Sequence, residues 1–115
     1  MVDLPEPSRG EIWWAVADKR RPVVVVQADF LNRSRTGWIL AVPLTTKLER
    51  GEAPGNVRIS KRDSGLAQAS VANVAQVAPL PRVGFRERVG RLDESRLRLI
   101  DDGLSLVLGL AYGRA

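Results

Sequence analysis

Arg21 and Thr45 are the two side chains of this sequence best placed to act together. Arg21 stands at the head of a run of four valines, and Thr45 follows a second apolar run that ends at Leu44. If the polar stretch 29–37 closes a hairpin between these runs, its midpoint is Arg33, and Arg21 and Thr45 are equally far from it. Directly opposed residues on antiparallel strands sit about 4.5–5.5 Å apart and point to one face. A guanidinium and a hydroxyl would then converge at one rim. The guanidinium's planar fork suits phosphate oxygens, and the hydroxyl can donate or accept a hydrogen bond. The chain has no histidine and no cysteine. It therefore lacks the usual acid–base group near neutral pH, the thiolate nucleophile and the commonest metal ligands. Any catalysis is expected to run without a metal and without a cofactor. Ser64 beside Asp63 has no histidine to complete a hydrolase triad.

Other residues extend this candidate site. Lys and Arg total 18 against 13 for Asp and Glu, a net charge of +5, and only Lys19, Lys47 and Lys61 are lysines. An Arg-rich basic domain points to a polyanion such as nucleic acid, although arginine usage also follows genome base composition. Arg33, Arg35 and Lys47 lie on loops expected to flank the rim. They either grip phosphates or are ordinary solvated charges. Gln76 interrupts an apolar run. It either reads a base or sugar with its donor and acceptor, or is a satisfied polar group of the sheet. Trp13, Trp14 and Trp38 sit in strand-like runs where core or interface packing is the commoner role. Trp14 is the best placed for stacking on a single-stranded base.

Short strands must position these groups. Residues 10–16, 22–28 and 38–44 read as strands, the latter two apolar on both faces and hence central. Residues 45–55 read as a loop, 56–60 as a half-buried strand, 61–65 as a turn, 70–77 as a strand and 86–92 as a last strand. Pro79 and Pro81 are expected to break the chain between them. Asp93 caps a terminal helix whose apolar stripe is Leu97, Ile100, Leu104, Val107 and Leu108. Leu99, Leu106 and Leu110 fall off that stripe, so the helix either meets a partner or is buried on two sides. Gly103 within it either permits close backbone approach or is tolerated at a cost of about 1 kcal/mol. Residues 1–8 read as a flexible leader, 9–111 as one domain and 112–115 as a short tail. A small antiparallel barrel flanked by the helix is the expected architecture. The proline- and acid-containing start lacks an apolar targeting core, and no apolar run approaches membrane-spanning length, so a cytoplasmic location and no membrane contact are expected.

The order of several short motifs resembles the MazF/PemK (Kid-like) toxin family of toxin–antitoxin systems. They are Arg9-Gly10-Glu11-Ile12-Trp13, Arg21-Pro22 with the four valines, Val42-Pro43-Leu44-Thr45-Thr46, Ser70-Val71 through Gln76-Val77, Val89-Gly90-Arg91-Leu92 and Leu108-Gly109-Leu110. The resemblance runs from Arg9 to about Leu110. It implies a mainly β, SH3-like barrel of MazF/CcdB type with a C-terminal helix, assembled as a homodimer. It implies an endoribonuclease, an mRNA interferase cleaving single-stranded RNA at specific sequences, with the family's essential arginine and threonine at Arg21 and Thr45. Thr46 falls within the matching motif, and Gln76 matches a glutamine near the substrate groove.

The implied partners are single-stranded RNA, a cognate antitoxin with an acidic disordered tail lying in the same groove, and operator DNA reached through that antitoxin. Residues 16–20 form a shorter connection than relatives carry before the Arg-Pro pair; a glutamate of that loop has no clear counterpart here, and Asp18 is a loose candidate for it. The chemistry expected is attack of the RNA 2′-hydroxyl on the adjacent phosphorus, giving a 2′,3′-cyclic phosphate. Arg21 would stabilise charge, and Thr45 would orient or donate. The alternative is a non-catalytic inhibitor like the CcdB toxins, or a barrel that only binds RNA or operator DNA.

Overall fold

The computed structural model describes residues 4–110. Strand β1 (Glu11–Val16) turns back into β2 (Arg20–Val25), with Ile12 opposite Val24 and Val16 opposite Arg20. The β-branched run of β2 makes it central, between β1 and β3 (Trp38–Thr45). Val23, Val24 and Val25 face Pro43, Val42 and Ala41. That is the register of a hairpin centred on Arg33. The connection between β2 and β3 holds a helical turn, α1 (Asp29–Asn32), where the sequence suggested only a loop.

The remaining elements are β4 (Val57–Ile59), the turn α2 (Lys61–Ser64), β5 (Ser70–Ala72), β6 (Ala78–Pro81), β7 (Phe85–Arg91) and α3 (Glu94–Leu108). Strand order is β4-β5-β3-β2-β1-β7, all neighbours antiparallel, with β6 also on β3. The second edge of β3 is shared. Its first half pairs with β6 and its last two residues pair with β5. This division curls the sheet into a half-barrel.

Three expectations need correction here. Pro79 and Pro81 do not break the chain. They lie on β6 opposite Leu40 and Trp38, where an edge strand tolerates the missing N–H groups. The strand expected over 70–77 ends at Ala72, and Val74–Gln76 form a 3-10 turn after the Asn73 N–H donates to the Pro43 carbonyl. The leader expected to be loose is anchored at Pro5 and Pro7, with Glu6 exposed between them. Pro7 is fully buried, and the Pro5 carbonyl accepts from Arg82. Residues 1–3 and the tail 112–115 lie outside the described residues.

The alternating pattern of β2 and β3 gives the sheet two apolar faces. One carries Ile12, Val24, Val42 and Leu44 under Ile100 of α3. The other carries Ala15, Val23, Val25, Ile39, Ala41 and Phe85. Helix α3 starts where the Asp93 carboxylate accepts from the Arg96 N–H at 2.8 Å, and it stops at Gly109 in the left-handed region. Gly103 permits close approach: a Cβ there would stand 2.1 Å from the Gly55 carbonyl oxygen. Of the expected stripe, Ile100 is buried and Leu97 and Leu104 half-buried, while Val107 and Leu108 are exposed. Arg82, 3% exposed, donates to the carbonyls of Asn32, Thr36 and Pro5, tying the β2–β3 connection to the segment before β1.

Candidate active site

The open end of the β2–β3 hairpin forms one wall of a groove of about 530 Å³. Continuing the β2–β3 ladder outward from Val23 and Pro43 sets Arg21 opposite Thr45, and both line this groove. The Arg21 guanidinium is half-buried and has no hydrogen-bonded or ion-paired partner among the described residues. Thr45 Oγ1 accepts the Lys47 N–H at 3.2 Å. That bond occupies one lone pair of the hydroxyl and leaves its proton free to donate into the groove.

Thr46, Lys47, Trp14 and Gln76 line the same groove. Trp14 is half-buried, and the Arg20 guanidinium lies over its ring, 4.3 Å from the centroid. That contact is a cation–π pair. Gln76 is exposed on the 3-10 turn rather than held within a strand. Trp13 is a packing residue, edge-on to Phe85 with centroids 6.0 Å apart, and Trp38 is exposed on β3 away from the groove. Asp18 lines a smaller adjoining cavity that shares Lys19, Arg21, Pro43 and Gln76 with the groove.

The structure does not bring Arg33 and Arg35 to this groove. Both are exposed on the closed end of the hairpin, past α1, whereas Arg21 and Thr45 are at its open end. At about 3.3 Å per residue, the length of β2 alone separates the two ends by more than 15 Å. Arg35 adopts a left-handed conformation with φ of 67°.

Residues not singled out from the sequence take their place: Lys19, Arg20, Arg50 and Asn73. The Lys19-Arg20-Arg21 run was a visible signal for the first two. Asn73 was visible only as a polar residue in an apolar run, and its amide oxygen accepts from Asn56 at 3.3 Å. Arg50 sits on the 3-10 turn Leu48–Glu52 and carried no signal beyond its charge.

Among the described residues the groove lining contains five cations, Lys19, Arg20, Arg21, Lys47 and Arg50, of which Arg20 is paired with the exposed Glu87 at 3.4 Å, and no carboxylate. Such a surface attracts and orients an anion. The carboxylates held below their ordinary range lie elsewhere. Asp29 accepts from the Arg9 backbone N–H. Burial pushes Glu11 up, but hydrogen bonds from the Ser8 N–H, Trp13 and Arg88 outweigh it. Among the described residues, no three side chains of metal-ligating type cluster together.

The sequence model of a family described as "PemK-like, MazF-like toxin of type II toxin-antitoxin system" matches residues 8–108. The chain is 35% identical over 111 residues to "Endoribonuclease MazF6" of Mycobacterium tuberculosis, covering 90% of this chain and 97% of that protein. Its fold matches the solved "Mycobacterium tuberculosis toxin MazF-mt6" with a TM-score of 0.79 at 22% identity, over 89% of this chain and 99% of that one. It also matches a structure described as "Endoribonuclease in complex with its cognate antitoxin from Mycobacterial species". There the TM-score is 0.78 at 24% identity, over 92% of this chain and 98% of that one. With this match along nearly its whole length, and with Arg21 and Thr45 set together in a cationic groove, the chain belongs to the PemK-like, MazF-like toxin family.

Proposed function

We propose that the chain is the toxin of a toxin–antitoxin pair and acts as an endoribonuclease on single-stranded RNA. The observation that carries this reading is the convergence of Thr45 with an unpartnered Arg21 in a groove lined by cations. The naming of the 35%-identical relative as an endoribonuclease supports it.

The reaction needs no external nucleophile. The 2′-hydroxyl of one nucleotide attacks the adjacent phosphorus. As the 2′-hydroxyl loses its proton to water, the bond to the 5′-oxygen of the next nucleotide breaks and that oxygen takes up a proton from water, leaving a 2′,3′-cyclic phosphate and a 5′-hydroxyl. Arg21 binds the phosphate oxygens as negative charge builds on them, and a fixed cation at such a position contributes several kcal/mol. The Thr45 hydroxyl donates to a phosphate oxygen or holds the 2′-hydroxyl in line. Lys47 and Arg50 hold neighbouring phosphates. Arg21 and Thr45 supply charge and a hydrogen bond directly, so this reading assigns no step to a metal.

The same groove takes the acidic, disordered tail of a cognate antitoxin, and operator DNA is reached through that antitoxin. The protein works as a homodimer in the cytoplasm. The test is incubation of the pure protein with a long RNA in EDTA, followed by mapping of the new 5′ ends. Cuts at a recurring sequence with 5′-hydroxyl ends are expected. Intact RNA, or a strict Mg²⁺ requirement, would overturn the reading.

A further inference from the structure

Beside the groove lies a cavity of about 210 Å³ on the second apolar face of the sheet. Its walls are Ala15, Val23, Ala41, Ala78 and Leu80. Ala41 and Ala78 face each other across the β3–β6 ladder, so the smallest side chains stand where two strands meet. A leucine at 78 would fill the space that these alanines leave. The volume equals roughly seven waters at about 30 Å³ each, enough for a single flat ring system and below the roughly 300 Å³ at which pockets for drug-sized ligands begin.

The mouth of the cavity differs from its walls. Asp18 and Gln76 line it, along with Lys19 and Arg21. Asp18 Oδ1 accepts the Lys19 N–H at 3.0 Å, which leaves Oδ2 available. The cavity opens into the groove through Lys19, Arg21, Pro43 and Gln76, which line both. A nucleotide whose phosphate rests on Arg21 therefore has an apolar slot within one sugar's reach, with two hydrogen-bonding side chains at its entrance.

We propose that this cavity takes one splayed-out, amino-bearing base of the RNA beside the scissile phosphate, with Asp18 and Gln76 reading its edge. This inference rests on the ribonuclease reading above. Apolar walls suit the faces of a base, as they do in proteins that read unstacked single strands. A carboxylate only accepts, so Asp18 selects a base offering an exocyclic amino group, such as cytosine or adenine. Uracil lacks that group, and its one donor on this edge, N3–H, is flanked by two carbonyl oxygens that repel the carboxylate. Gln76 both donates and accepts, and it completes the edge.

The experiment compares cut-site profiles of wild type, Asp18→Asn and Ala78→Leu on an RNA of mixed sequence. Wild type should show one position near the cut fixed to an amino-bearing base. Asp18→Asn should relax that single position about tenfold, admitting uracil, because a hydrogen bond to a charged group is lost. Binding of an uncleavable 2′-O-methyl oligonucleotide of the mapped sequence, intact or abasic at that position, gives the second arm. Loss of the base should weaken wild-type binding about tenfold and leave binding to Ala78→Leu little changed, since the filled cavity has nothing to lose. Should Ala78→Leu fail to fold, Asp18→Asn carries the test alone, because Asp18 is exposed and an asparagine amide oxygen can still accept the Lys19 N–H. Superimposable profiles for wild type and Asp18→Asn would overturn the proposal, as would the same abasic penalty in folded Ala78→Leu. Either result leaves the ribonuclease reading standing, whereas absence of cleavage by wild type removes both.

Discussion

Most arginines with a visible task in this fold have a carboxylate beside them. Arg9 meets Asp101, Arg58 meets Glu52, Arg88 meets Glu11 and Arg96 meets Asp63. Arg21 is half-buried and has no such partner, so its charge is available for a ligand and contributes little to holding the sheet. Arg21→Ala should therefore lower kcat for RNA cleavage roughly 100- to 1000-fold, the loss seen when a preorganised stabiliser of developing charge is removed. Its urea midpoint should stay within experimental error of wild type. Thr45→Val keeps the branched shape and deletes the hydroxyl that the Lys47 N–H orients. It should slow cleavage through kcat more than KM, which steady-state kinetics on one short RNA would show. Full activity in either variant would remove that residue from the mechanism. That these two residues stand together was legible in the sequence because two apolar runs flank a polar loop symmetrically. That Arg33 and Arg35 lie at the hairpin's other end was not legible, because charge near a hairpin does not say which end it occupies.

Elements were legible where a pattern repeated and obscure where one residue decided. The valines of β2 and the cap at Asp93 announced themselves. The prolines of β6 read as breaks because a missing N–H is harmless only at a sheet edge, and edges belong to topology. The turn that presents Gln76 is set by Asn73 bonding back to Pro43, a contact between distant segments. Gly103 shows how a single position can override propensity. Alanine in a helix interior usually gains about 1 kcal/mol over glycine. Here its Cβ would meet the Gly55 carbonyl at 2.1 Å, so Gly103→Ala should destabilise by about 1–3 kcal/mol, read as a lower urea midpoint with unchanged m. The helix start gives a pH signature. The backbone N–H of Arg96, then the Ser95 hydroxyl, hold the Asp93 carboxyl below its ordinary value of 3.8. A depressed carboxylate stabilises the fold fully above that value, and the contribution is lost as pH falls through the lower folded value. Urea midpoints should hold level down to about pH 5 and then fall. Asp93→Asn, which still caps, should make that fall shallower.

At the scale of the whole molecule, apolar surface and charge ask for different partners. Leu99, Leu106 and Leu108 of α3 remain 45%, 53% and 59% exposed in the single chain. A homodimer that covers this helix, with an interface above about 1,000 Å², accounts for them, and sedimentation at micromolar concentration should give twice the chain mass. A monomer would leave that surface unexplained. The cations of the groove meet RNA as a row of point charges, with the apolar cavity opening beside them. Each phosphate neutralised on a single strand contributes about 0.7 to the slope of log affinity against log salt. With several contacts, RNA bound to the Arg21→Ala protein should weaken steeply between low and physiological salt. An acidic antitoxin tail offers spaced charge to the same groove, but its apolar side chains bury area that salt does not screen. The two should therefore compete, with the peptide gaining on RNA as salt rises. Titrating labelled RNA on Arg21→Ala with antitoxin peptide at two salt concentrations measures both effects. A ternary complex, or RNA affinity indifferent to salt, would show that the groove is not where either ligand is held.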